Sequence, residues 1–76
     1  MEEYEAASSE AIDQLADGLR PIVEGADDLG LDVILELPEA RRVIAAWGVE
    51  HDVAALAHGG KVASWLVGAL RRRGLD

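Results

Sequence analysis

Apolar residues in this chain recur at three- and four-residue spacing from one end to the other, the period of α-helices with one buried face. Ile12, Leu15, Ala16 and Leu19 make one stripe, and Ala40, Val43, Ile44 and Trp47 make a second. Val62, Trp65, Leu66, Ala69 and Leu70 make a third. A chain of 76 residues buries only about 60% of the surface its unfolded form exposes and has room for one core. The stripes therefore have only one another to pack against. The expectation is an all-α single domain over residues 1–76, a small bundle of about four helices with a helix–loop–helix in its C-terminal half.

Punctuation places the boundaries. Ser8 and Ser9 precede the first stripe and suit an N-cap, while Arg20-Pro21 predicts an end or a kink, after which Ile22 and Val23 could continue the apolar face for one more turn until Gly25. Asp27-Asp28-Leu29-Gly30 reads as a loop. Val33-Ile34-Leu35 and Leu37 form an apolar run that could be one helical turn or an extended segment. Pro38 suits the first turn of a helix, Glu39 behind it suits the helix dipole, and Gly48 predicts the C-cap. Asp52 predicts the cap of a short helix from Val53 to His58, halted by Gly59-Gly60. A last helix is predicted from near Lys61 to Arg71-Arg72-Arg73, with Gly74 as its C-cap.

Charge divides the chain. Residues 1–37 hold eleven acids and one base, a net of −10, whereas residues 38–76 hold six bases and four acids, a net of +2. This makes an acidic N-terminal helical region beside a basic helix–loop–helix region. The acids either form a solvated face or accompany a partner-facing basic module.

Composition removes several kinds of chemistry. Without cysteine there are no disulfides, thiolate zinc sites or thiol nucleophiles. Without asparagine there are no glycosylation sequons or Asn-Gly hairpin turns. The acidic opening Met1-Glu2-Glu3-Tyr4-Glu5 is unlike a signal peptide, and no apolar stretch is long enough to span a bilayer, so a cytoplasmic location without membrane association is the expectation.

The remaining candidates for catalysis are few. His51 and His58 lack a recognised ligand spacing, and Asp27-Asp28 sits in a polar loop. Ser8, Ser9 and Ser64 occupy no nucleophile elbow. The glycines of His58-Gly59-Gly60-Lys61 could let an anion approach the backbone, or could simply turn the chain between helices. Trp47 and Trp65 read as core residues. The expectation is a non-enzymatic chain with no cofactor and no metal.

The segment from Val33 to Leu70 carries Val33-Ile34, Pro38, Arg41-Arg42, Gly48-Val49, Gly59-Gly60-Lys61-Val62 and then Val67, Ala69 and Leu70. In that order it resembles the peripheral-subunit-binding domain of 2-oxo acid dehydrogenase acyltransferases. The same helix–loop–helix plan, with Trp47, Glu50-His51 and Gly60-Lys61-Val62, is similar to the DNA-binding domain of actinobacterial nucleoid silencers. The loop lacks the Gly-Thr-Gly turn of the first family and the paired arginines of the second. Asp28-Leu29-Gly30-Leu31-Asp32 resembles the motif of acyl carrier proteins, with Val33 where the phosphopantetheine serine would stand.

Either of the first two resemblances implies partner contact through Arg41, Arg42 and Lys61. With Arg71, Arg72 and Arg73 these make the expected partner-binding set: a basic surface for an acidic protein partner. Electrostatic complementarity would set the encounter rate and the choice of partner. The alternatives are a small DNA-binding regulator using the same residues and a degenerate acyl-carrier-like protein. The acidic N-terminal helix is expected to pack on the common core or to support self-association as a homo-oligomer.

Overall fold

A computed structural model describes residues 7–26 and 28–75, the side chain of His58 excepted. Among these residues the chain forms four α-helices and no strand, so the small all-α bundle is observed. The helices are α1 (Ser9–Gly25), α2 (Leu31–Ile34), α3 (Pro38–Glu50) and α4 (Ser64–Arg72), with a 3₁₀ turn at His58–Gly60 before α4.

Helix α1 begins as its sequence predicts. The Ser8 hydroxyl accepts a hydrogen bond from the Ala11 amide at 3.2 Å, serving one of the donors that a helix start leaves unpaired. Ser8→Ala is expected to lower stability by about 1 kcal/mol, read as a lower urea midpoint at unchanged slope.

Of the outcomes the sequence allows, Pro21 does not end this helix: α1 runs through it and through Ile22 and Val23 to Gly25. Both Pro21 and Asp17, one turn earlier, are exposed, so solvent can serve the carbonyl that loses its partner. Ile22 and Val23 beyond the proline pack against the core, and that packing favours continuation.

The first stripe faces inward, and α1 packs against each of the other three helices. Ile12, Leu15 and Leu19 meet Ile44 of α3 and Leu66 and Leu70 of α4 in one buried cluster. The acidic N-terminal region thus docks its apolar face on the basic half and keeps Glu10, Asp13, Asp17 and Glu24 exposed. The ambiguous run resolves into the short α2, burying Leu31 and Ile34, with Leu35 buried just behind it.

Three expectations around α3 and α4 are corrected. Helix α3 does not stop at Gly48 but continues to Glu50. Gly48 is buried, and a β-carbon there would lie 3.0 Å from the Val53 carbonyl oxygen, so glycine serves a close backbone crossing rather than a cap. The helix closes through Asp52, which takes the left-handed conformation (φ 55°). The Asp52 amide bonds to the Val49 carbonyl at 3.3 Å and the Val53 amide to the Gly48 carbonyl at 2.8 Å, the paired bonds of a Schellman ending.

Asp52 therefore ends one helix instead of capping the next, and no helix forms over residues 53–58 beyond the 3₁₀ turn. Residues 53–57 form no helix: the Ala55 amide turns back to the Val53 carbonyl, and an isolated antiparallel bridge joins Leu56 and Val62. Gly59 and Gly60, both at positive φ, reverse the chain between them, which delays α4 to Ser64. The predicted end of α4 holds. Gly74 (φ 87°) donates to the Arg71 carbonyl and Leu75 to the Leu70 carbonyl, and Leu75 folds back into the core.

Candidate partner-binding surface

The six cations of the second half fall into two groups. Arg41, half-buried on the first turns of α3, donates from Nη2 to the Gly60 carbonyl at 2.6 Å. This bond ties α3 to the glycine turn and sets Arg41 beside the exposed Lys61. Lys61 and Arg71 line one depression of about 390 Å³ between α2 and α4, together with Asp32 and Glu36. Arg41 and Lys61 are therefore set at the turn, and Arg71 shares a depression with Lys61 from the other end of α4.

The others point elsewhere. Arg73 has only 18% of its side chain exposed, and it bonds through Nε to Asp13 of α1 at 2.8 Å and through Nη1 to the Ala69 carbonyl at 3.1 Å. It fastens the end of α4 to α1. Arg72 is exposed at the end of α4, and Arg42 is exposed on α3.

Arg71 also has an intramolecular partner, Asp32 Oδ1 at 2.9 Å, with both side chains well exposed. An exposed pair of this kind contributes about 0–1 kcal/mol, so its guanidinium can exchange Asp32 for another carboxylate at little cost. The six cations do not make one uninterrupted basic face: Arg41 and Lys61 stand at the turn, and Arg71, across the depression from Lys61, shares its charge with Asp32.

The residues weighed for catalysis have other occupations. Ser8 is a helix cap, and Ser64 is exposed on the first turn of α4. The His51 ring lies 5.4 Å from that of Trp47, and its Nε2 is 3.8 Å from Glu50 Oε2. Among the described residues no three metal-ligating side chains cluster. Asp27 of the acidic loop pair and the His58 side chain lie outside the described residues. No helix among the described residues is long and apolar enough to cross a membrane.

Trp47 is the core residue predicted, at 6% exposure, and its Nε1 donates to the Ala11 carbonyl at 2.8 Å across 36 positions of sequence. Trp65 is half-buried at the margin of the core.

One surface escaped the sequence reading. Val49 stands 84% exposed on the last turn of α3. It borders a groove of about 660 Å³, bounded by Ala45 and Gly48 on the helix and by Asp52–Leu56 on the segment that follows. Ending α3 at Gly48 hid this face, because Val49 then counted as loop. The i, i+4 relation of Ala45 and Val49 was the available signal.

Comparison with protein-family models, with curated proteins and with solved structures finds no match to this chain.

Proposed function

We propose that this chain is a non-enzymatic interaction module that offers Lys61 and Arg41, with Arg71 at their edge, to an acidic surface of a protein partner. The observation that carries the reading is the Arg41–Gly60 hydrogen bond, which brings a helix cation against the turn that bears Lys61. Gly59, at positive φ with open space around its α-carbon, leaves the backbone beside the ammonium group open to a partner. Asp32 and Glu36 on the opposite side of the depression penalise partners with misplaced acids. That balance favours a patterned acidic surface over a uniform polyanion.

The test is a titration of the full chain with a Glu-rich amphipathic peptide and, separately, with duplex DNA, followed by amide chemical shifts. The peptide is expected to shift Gly60, Lys61 and Ser64, and Lys61→Glu is expected to weaken it about tenfold. Tighter binding of the duplex, falling steeply with salt, would replace this reading with the nucleic-acid one. No response to either probe would reject both.

A further inference from the structure

We infer that the groove beside Val49 is a self-association surface, occupied by α3 of a second copy of this chain running antiparallel. The inference does not depend on the acidic-partner reading, since the groove lies at the C-terminal end of α3, away from the glycine turn.

The face is apolar where a small domain is normally polar. Val49 is 84% exposed, with Ala45 and Ala46 exposed one turn before it. Such small side chains let a second helix approach to about 8–10 Å between axes. The adjoining groove, floored by Ile44, Gly48 and Ala55, can receive a valine-sized group.

Charge selects the occupant. Arg42 is exposed one turn before Ala45, with no ion-pair partner among the described residues, and Asp52 is exposed just past the helix end. The face thus carries a cation at one end and an anion at the other, with an apolar centre. A twofold axis near position 47 that sets Val49 against Ala45 of the second copy also sets Arg42 against Asp52 of the second copy. One register satisfies both the apolar and the charged contacts twice over, as an isologous interface requires.

The chain also has a use for such a contact. A core of this size seldom stabilises a chain strongly by itself, and small domains commonly add a staple or a partner copy. Cysteine is absent, which leaves no disulfide to do it. Its net charge of −8 opposes association over long range, but salt at about 0.15 M screens charges farther apart than about 8 Å.

Sedimentation equilibrium of the full chain at that salt, over a range of concentrations, gives the first reading. A reversible monomer–dimer equilibrium is expected, and Val49→Glu is expected to raise its dissociation constant about a hundredfold by burying an unpaired charge. Arg42→Glu and Asp52→Lys should each be monomeric alone, because each sets like charges face to face. Mixed in equal amounts they should form a heterodimer, since the two introduced charges then face each other as one pair and the native Arg42 and Asp52 form the other.

Circular dichroism checks that each variant is folded. Val49→Glu guards the test if Asp52→Lys strains its left-handed residue, because an exposed helix position carries no such constraint. A monomeric wild-type chain at all concentrations would overturn the inference. So would a dimer indifferent to Val49→Glu, or a mixture of the charge variants that stays monomeric.

Discussion

Replacing Trp47 by alanine is expected to remove about 3–5 kcal/mol of stability, enough to leave a domain of this size largely unfolded at room temperature. Two losses combine. The indole is 6% exposed in the common core with Ala11, Leu15 and Ile44, so its removal opens a cavity that the surrounding side chains fill only in part. It also deprives the Ala11 carbonyl of the Nε1 donor at 2.8 Å.

Trp47→Phe separates the two losses. It keeps most of the volume, forfeits the hydrogen bond and should cost about 1–3 kcal/mol. Urea unfolding followed by far-ultraviolet circular dichroism measures both variants. Equal effects from the two would mean that the bond, not the packing, dominates. A Trp47→Ala protein as stable as the wild type would contradict the description of this core.

Gly48→Val is expected to cost about 1–3 kcal/mol by overpacking. Its first carbon would meet the Val53 carbonyl oxygen at 3.0 Å and the Ala55 side chain at 3.4 Å. Neither neighbour can retreat freely, because the Val53 amide is held by the Gly48 carbonyl at 2.8 Å and the Ala55 amide bonds to the Val53 carbonyl. Gly48→Ala should come out near neutral: alanine gains up to about 1 kcal/mol of helix propensity, which the same contact offsets. Thermal unfolding of the pair tests the argument. A valine variant as stable as the alanine one would show that residues 53–55 can move aside.

The helical stripes were legible because they depend on spacing alone. Ile12, Leu15 and Leu19 had to face inward whatever they met, and Pro38 and Gly74 act through their own backbone preferences. What stayed hidden was decided by residues distant in sequence. Pro21 reads as an end or a kink until Ile22 and Val23 are seen to have a core to pack on. Asp52 reads as a start until its amide is seen returning to Val49.

The arrangement of the basic set depends most on such distant residues. Arg71, Arg72 and Arg73 are adjacent in sequence, yet Arg71 turns to Asp32 and Arg73 to Asp13, 39 and 60 positions away. Adjacent residues on a helix point about 100° apart, so a run of like charges need not form a patch.

The indole bond between α3 and the start of α1 has a consequence for motion. Aliphatic contacts such as those of Ile12, Leu15 and Leu19 are indifferent to small rotations, so oil alone would let the long helix roll about its axis. Two directional bonds near one end, from Trp47 to the Ala11 carbonyl and from Arg73 to Asp13, fix its azimuth. Rolling is then confined to the distal turns around Ile22 and Val23, and amide exchange there should outpace that of the tethered end.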